Sequence, residues 1–387
     1  MDDAQVAVVG MWSDSSDVQD GEVRVTVGID THIDQHVGVA LDRFGRRLGT
    51  RSVPTTPAGF ATLLAWAHGF GVIERIGIEG TGSYGAGLSR WLRARGPVVI
   101  EVERPRRHDR QARRRRGKSD PLDAEAAARA VQAGTATGQP KDGDGQVEMI
   151  RTLRLARRSA MKARTQAANQ LHALVVTAPD DLRVRLRPLP MAELITLVAA
   201  FRPVRTGAAL GTPLAATKLA LKGLAVRYRQ PSAEIEVLDV HPEHHVSTAA
   251  PALLAVKGVG TDIAGALLVA AGDNPQRLHS EAAFASLCGA APIPASSGRT
   301  NRHRLSRGGG RDANRALYPL AIGRMGWDPA TRTYVTRRTA AGLSKPEIIR
   351  CLKRYPAREI YRLLVQPSAS LVPPADGEAA QRSTIAS

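Results

Sequence analysis

From Arg24 to Val102 the chain alternates short β-rich runs with helical ones, and two of those runs end on an acid. Val25-Thr26-Val27-Gly28-Ile29-Asp30 predicts a strand that stops at a carboxylate. His36 to Leu41 and Arg47 to Val53 predict two more strands, joined by the turn signal around Asp42 and Gly45. Pro57 opens an amphipathic helix through Phe60, Leu63, Leu64 and Trp66. Ile76-Gly77-Ile78-Glu79-Gly80 is a further short strand ending on an acid, followed by a helix from about Tyr84 to Arg95 and a strand from Val98 to Val102. Short connections between the first three strands predict an antiparallel meander, and the later alternation predicts parallel pairing.

A basic run follows. Arg104, Arg106, Arg107, Arg110, Arg113, Arg114, Arg115, Arg116 and Lys118 crowd into one short stretch, opposed only by Asp109. Ser119 then predicts the cap of a helix reaching about Ala133, with Asp120, Asp123 and Glu125 in its first turns, where the helix dipole favours acids. Residues 134–145 form a polar, Gly-rich linker. From Ile150 the period changes: Leu153, Ala156, Ala160, Ala163, Ala167, Leu171 and Leu174 recur at three- and four-residue steps, which predicts a long amphipathic helix or coiled coil, seamed within the chain or between subunits. Arg151, Arg154, Arg157, Arg158, Lys162 and Arg164 fall on its other faces. Helix continues to about Leu238 with breaks at Pro188, Pro203 and Pro213, and His241, His244 and His245 are expected in a linker.

The last third begins near Pro251. Leu254 to Ala270 predicts a helix-hairpin-helix-like element around Gly258-Val259-Gly260, whose backbone N–H groups could meet a phosphate or simply form an ordinary turn. A helix from Glu281 to Leu287, a Pro/Ser/Gly-rich loop from Pro292 to Gly310, and helices from Asp312 to Arg324 and Lys345 to Leu364 complete it. The expected division is a loose acidic leader (1–23), an α/β domain (24–140), a helical or coiled-coil region (146–245), a mainly helical domain (250–365) and a disordered tail (366–387).

Charge narrows the partners. Lys plus Arg number 54 against 36 acids, a net charge of +18 with pI near 10.8. Such an excess attracts polyanions, and nucleic acid is the expected one. Two cysteines, Cys288 and Cys351, rule out a disulfide framework and fit a reducing, cytoplasmic location. No apolar run is long enough to span a membrane.

Asp30 and Glu79 at two strand ends, with Asp120 and Asp123 one helical turn apart, make a set of four carboxylates that can converge. Oxygen ligands of this kind suit one or two Mg²⁺ ions, and a pair about 4 Å apart can activate a nucleophile and stabilise the leaving oxygen of a phosphodiester. Taken singly, Asp30 fits a turn and Asp120 a helix cap equally well.

The strand and helix order matches a ribonuclease-H-like fold. Val27-Gly28-Ile29-Asp30, Ile78-Glu79-Gly80-Thr81-Gly82 and Lys118-Ser119-Asp120-Pro121-Leu122-Asp123-Ala124 resemble the Asp-Glu-Asp-Asp signature of insertion sequence 110 transposases, whose N-terminal domain is similar to the RuvC Holliday-junction resolvase. A second signature is similar to Gly289-Ala290-Ala291-Pro292, Ser297-Gly298 and Arg304-Leu305-Ser306-Arg307-Gly308-Gly309-Gly310. Arg307 stands where many relatives have lysine, and the glycine run is longer than usual. The resemblance implies that Ser297, with Ser296 adjacent, is the DNA nucleophile. Arg299, Arg302, Arg304 and Arg307 would hold the phosphate; the residues alone fit a Ser/Gly loop with solvated arginines just as well. It also implies cleavage and rejoining of donor and target DNA through a phosphoserine intermediate, a structured guide RNA, and a homo-oligomer, dimer or tetramer. A DNA invertase shares that chemistry. A RuvC-like nuclease without serine chemistry and a non-catalytic nucleic-acid-binding protein are the other readings of the same residues.

Overall fold

The computed structural model describes residues 23–103, 119–203, 211–296, 303–304, 306 and 308–365. These fall into two compact units divided between Lys141 and Asp142. The expected leader through residue 22, the arginine run 104–118 and the tail 366–387 lie outside the described residues.

In the first unit, β1 (Arg24–Thr31), β2 (Gln35–Leu41), β3 (Arg47–Pro54), β4 (Val72–Glu79) and β5 (Val99–Val102) form one sheet in the order β3-β2-β1-β4-β5. The β1–β2 and β2–β3 pairs are antiparallel, while β1–β4 and β4–β5 are parallel. Asp42 shapes the β2–β3 turn by accepting from the backbone N–H groups of Phe44 (2.9 Å) and Arg46 (2.8 Å), with Gly45 at φ 77°. Every residue of β1 from Val25 to Thr31 is buried, so both faces of this strand are covered. Strand alternation sends Val25, Val27 and Ile29 into a core with Phe60, Leu63 and Ala67 of α1 (Pro57–His68) and Leu88 and Leu92 of α2 (Ala86–Arg93).

The other face of the sheet carries α3 (Asp120–Gln132), and two glycines let it approach. A Cβ on Gly28 would lie 2.0 Å from the Ala124 carbonyl oxygen and 2.3 Å from the Ala128 nitrogen. One on Gly77 would lie 2.7 Å from Val131 Cγ2 and 3.0 Å from the Ala127 oxygen. The helix answers with Ala124, Ala127 and Ala128, all buried. Backbone therefore packs on backbone at Gly28, while the Val131 side chain and the Ala127 carbonyl fill the space at Gly77.

The second unit is helical in all its long elements. α4 (Gln146–Val176) runs antiparallel to α7 (Pro213–Ala249): His245 Nδ1 lies 2.6 Å from Gln146 Oε1, Arg157 pairs with Asp239, and Leu171 packs with Leu221 and Ala225. The amphipathic stripe is thus seamed within the chain. Its composition differs from the expected one at two places. Ala163 is exposed, and half-buried Arg157 reaches across the seam to pair with Asp239. α5 (Asp180–Leu186) and α6 (Met191–Ala199) close the far end over Leu171 and Val175.

The expected linker at His241, His244 and His245 is instead the last turns of α7, which continues through Pro231 and Pro242. Each proline removes a backbone donor. Packing along α4 outweighs that loss, and Ser232 Oγ donates to the Tyr228 carbonyl (2.8 Å) beside the first break.

Beyond α7, the first helix of the expected hairpin element is a single turn, α8 (Pro251–Leu254), from which Gly258 (φ 89°) leads into α9 (Thr261–Ala271). α10 (Glu281–Leu287), α11 (Arg311–Trp327), α12 (Pro329–Ala340), α13 (Lys345–Leu352) and α14 (Arg354–Val365) follow. Phe284, Leu267, Leu317 and Ile360 centre their core. The single helix expected from Lys345 to Leu364 is two, parted at Lys353.

Lys353 is buried and donates to Asn314 Oδ1 (2.8 Å), while Asn314 Nδ2 donates to the carbonyls of Cys288 (3.1 Å) and Gly289 (2.9 Å). Gly309 closes on the same point, since a Cβ there would sit 2.1 Å from the Gly289 nitrogen. The two ends of the 289–309 segment are therefore clamped together. A short antiparallel pairing of β6 (Ile293–Pro294) with β7 (His303–Arg304) lies above the clamp.

Two outcomes are expected. Gly28→Ala has no room to relax against a helix backbone, so urea unfolding followed by circular dichroism should register a loss of about 3 kcal/mol or more. Asn314→Ala strands the Lys353 ammonium and two carbonyls, and the same measurement should register a loss of about 2 kcal/mol.

Candidate metal and strand-cleavage site

Asp30 lies two residues after Gly28 on β1, so alternation turns it toward α3 rather than into the α1–α2 core. The close crossing at Gly28 holds the N-terminus of α3 near the C-terminal end of β1. Asp120 is the first residue of that helix and Asp123 follows one turn later. Ser119 occupies the cap position in extended conformation. Its side chain makes no capping bond, and its carbonyl accepts from the N–H groups of Leu122 (3.0 Å) and Asp123 (3.2 Å). The helix dipole faces the acids and favours their charge.

These residues meet in one pocket. His32 Nε2 lies 3.2 Å from Asp30 Oδ2 and 3.3 Å from Asp120 Oδ1, and a ligand atom from each of Asp30, His32 and Asp120 falls within 4.8 Å of the others. Burial is the main influence raising the Asp30 pKa, with repulsion from Asp123 and Asp120 adding to it; His32 and the Thr31 N–H work in the opposite direction. Asp123 is thus close enough to be felt electrostatically. Glu79 ends β4 one residue beyond the Ile29–Ile78 pair, beside Asp30 in the sheet, and its carbonyl accepts from Thr31 Oγ1 (2.8 Å). Its carboxylate is not part of the close group of three.

The donor set fits a divalent cation. Two carboxylates and an imidazole converge, and the Nε2 atom of His32, although shielded from solvent, makes no well-formed hydrogen bond with the oxygens beside it. Sequence reasoning missed His32, and its only signal was an imidazole two positions past Asp30.

Ser297, Arg299, Arg302 and Arg307 lie outside the described residues, as do Arg106, Arg107, Arg110, Arg113, Arg114, Arg115, Arg116 and Lys118. In sequence, Ser297 falls between the paired strands β6 and β7. Arg304, opposite Ile293 in that pairing, is exposed. The second unit also holds an open cleft of about 960 Å³ whose walls include Arg151, Lys162, Arg315, Gln166, Asn169 and Tyr318. Four of the cleft's arginines are paired, Arg151 with Glu148, Arg154 with Asp262, Arg157 with Asp239 and Arg158 with Asp312. No helix among the described residues is long and apolar enough to cross a membrane.

Residues 27–178 match a family model of DEDD-type IS110 transposases, and residues 250–336 match a model of the IS116/IS110/IS902 transposase family. The chain is similar to the insertion element IS110 uncharacterized 43.6 kDa protein of Streptomyces coelicolor, at 33% identity over 129 residues. That stretch takes in 33% of this chain and 30% of the relative, so less than a third of the relative's length is spanned. The first model takes in Asp30, Glu79, Asp120 and Asp123, and the second takes in Ser297. With both models matching in chain order over more than half of its residues, the chain belongs to the IS110 family of transposases.

Proposed function

We propose that this protein is a transposase that cleaves and rejoins DNA, using a carboxylate-held Mg²⁺ site in its first unit and Ser297 as nucleophile in its second. The observation that carries the reading is the convergence of Asp30, Asp120 and His32 on a shared point, with Asp123 close by, in a chain of this family. The first unit reads as a ribonuclease-H-like, RuvC-like domain, supported by an antiparallel meander joined edge to edge with a parallel pair. Residues 146–245 form the helical region of this reading and 250–365 the serine-bearing domain.

Asp30, Glu79, Asp120 and Asp123 would hold one or two Mg²⁺ ions, which supply Lewis-acid stabilisation of the phosphate oxygens when bound. The chain's own part is positioning. The α3–β1 crossing fixes the angle between Asp30 and the two acids of α3. The Gly289–Asn314–Lys353 clamp holds the base of the loop that carries Ser297. Ser297 Oγ attacks phosphorus, an Oγ–P bond forms, and the P–O bond to the leaving sugar oxygen breaks, that oxygen taking up the proton the serine gives up. Attack of a new DNA hydroxyl on the phosphoserine reverses the exchange, so the phosphoester is conserved and no external energy is needed. Arg299, Arg302, Arg304 and Arg307 serve as phosphate anchors.

DNA is the substrate of this reading, with a structured guide RNA as partner and a homo-oligomer as the working form. The +18 charge supports polyanion binding, and the cleft around Lys162 and Arg315 supports a contact outside the reaction centre. The RNA and the oligomer rest on the family resemblance alone.

The test is capture of covalent protein–DNA adduct on denaturing gels, with DNA of the element's own ends and its adjoining RNA. Wild-type protein with Mg²⁺ is expected to form adduct. Ser297→Ala is expected to form none, and Asp30→Asn to lower its rate at least about a hundredfold. Strand cleavage by Ser297→Ala at the wild-type rate would replace this reading with a metal-dependent nuclease, and full activity of Asp30→Asn would remove the metal site from the mechanism.

A further inference from the structure

The carboxylates of the pocket were anticipated by their spacing, but His32 was not, and its placement is the more informative. The backbone around it is fixed on both sides. The His32 N–H donates to the Gln35 carbonyl (3.1 Å) in the tight link from β1 to β2, and the His32 carbonyl accepts from Thr55 Oγ1 (3.4 Å) at the end of β3. With the main chain held there, the ring is carried over the end of β1 toward α3. It arrives almost equidistant from two carboxylate oxygens on different elements, 3.2 Å from Asp30 and 3.3 Å from Asp120.

A histidine serving only to bridge those acids would aim an N–H along one oxygen's lone pair. Nε2 instead faces both, is shielded from solvent, and forms a hydrogen bond of good geometry with neither. The spacing suits a different arrangement. Ligands at right angles around an ion with bonds of about 2.1 Å stand roughly 3 Å apart, which is the separation between Nε2 and each oxygen. Nε2 is therefore spaced from each oxygen as neighbouring ligands on one coordination sphere are, and all three atoms lie within 4.8 Å of one another.

We propose that His32 is a nitrogen ligand to the divalent ion held by Asp30 and Asp120, making the centre a mixed nitrogen–oxygen site that ranks Mn²⁺ above Mg²⁺. This rests on the carboxylate pocket being a metal site, as proposed above. The chemical reason is the donor. Mg²⁺ is hard, prefers an all-oxygen octahedron and keeps its waters. Imidazole is a softer donor that suits first-row transition ions, and Mn²⁺ accepts it together with carboxylate oxygens. A site that supplies one nitrogen beside two carboxylates therefore gives up part of its affinity for Mg²⁺ and retains it for Mn²⁺.

The direct readout is electron spin-echo envelope modulation of Mn²⁺ added to the full-length protein, which registers a ¹⁴N nucleus bonded to the ion. Isothermal titration with Mn²⁺ and Mg²⁺ on wild type, His32→Ala and Asp30→Asn accompanies it, with circular dichroism to confirm that each variant is folded. Wild type is expected to show ¹⁴N modulation and to bind Mn²⁺ more tightly than Mg²⁺. His32→Ala is expected to lose the modulation and to bind Mn²⁺ about ten to a hundred times more weakly, with a smaller loss for Mg²⁺. Saturable Mn²⁺ binding that Asp30→Asn abolishes, without ¹⁴N modulation in wild type, overturns the role of His32 and leaves the carboxylate site standing. So does modulation that survives in His32→Ala, or tighter Mn²⁺ binding by that variant, the mark of an imidazole that competes with the ion for the acids. Wild-type protein that binds no Mn²⁺ saturably, or binds it equally well as Asp30→Asn, overturns the carboxylate reading and this inference together. Where His32→Ala fails to fold, His32→Gln takes its place and is expected to lose the modulation in the same way.

Discussion

The candidate metal pocket depends on how closely a helix can approach a strand. The N-terminus of α3 reaches the end of β1 only because Gly28 presents no side chain to Ala124 and Ala128, and because Gly77 makes the same allowance one strand over. A normal helix-on-sheet spacing is set by interleaved side chains. At Gly28 backbone meets backbone instead, and the helix is held by contacts that leave no room for a methyl group. Secondary ties keep it from pivoting. Arg47 of β3 pairs with Glu125, which Arg129 also engages, and Gln132 Nε2 donates to the Asp42 carbonyl (2.7 Å). The ion pairs are exposed and worth less than about 1 kcal/mol each. Their use is orientational, since they act at the edge of the sheet farthest from the glycine contact.

The second unit solves a related problem with different parts. A loop rich in Pro, Ser and Gly has little core of its own, so its geometry must be imposed at its base. Gly289 takes φ 64°, Gly309 stacks on it where a Cβ would collide, and Asn314 bridges to buried Lys353. The glycine run that looks excessive as sequence thus has a steric reason at Gly309. Meanwhile the α4–α7 hairpin runs over 31 and 37 residues, and its length explains why two prolines within α7 are tolerated. Each interrupted turn is a local loss against packing spread along the whole seam.

How much of this could be read in advance varied with how local the signal was. The five strands and the helices α1 to α4 were legible from local pattern: β-branched runs for strands such as β1, buried on both faces, and three- and four-residue steps for α4. Asp30, Asp120 and Asp123 were legible as a group because strand ends and a helix start are positions sequence can identify. Where burial leaves no period, the reading failed. No residue of α12 is buried, and that helix was not anticipated. The seam position of Arg157 was misassigned because charge argued for solvent, whereas Asp239, a distant residue on α7, makes its partial burial tolerable. His241 to His245 were misassigned because Pro242 outweighed a helical contact with Gln146 some hundred positions away. His32 belongs to the same class: nothing in its neighbours distinguishes it, and only the fold of β1 against α3 brings it to Asp120.

The pocket also carries an electrostatic tension that bears on how such a protein would engage DNA. The chain as a whole is strongly basic, yet Asp30 and Asp120 converge in the pocket where the proposed function would have a phosphate react. Asp30 is buried among like charges, which raises its pKa and marks a site held together against its own repulsion. A phosphodiester brought there by long-range attraction to the arginines would meet repulsion at close range. A divalent ion reverses the local sign, turning the acids from a barrier into a holder for the one species that attracts phosphate at contact distance. In the proposed function, ion binding and productive strand binding would then be coupled through charge. On that reading the basic surface would set how readily DNA arrives, and the α3–β1 crossing, by fixing the acids, whether it stays.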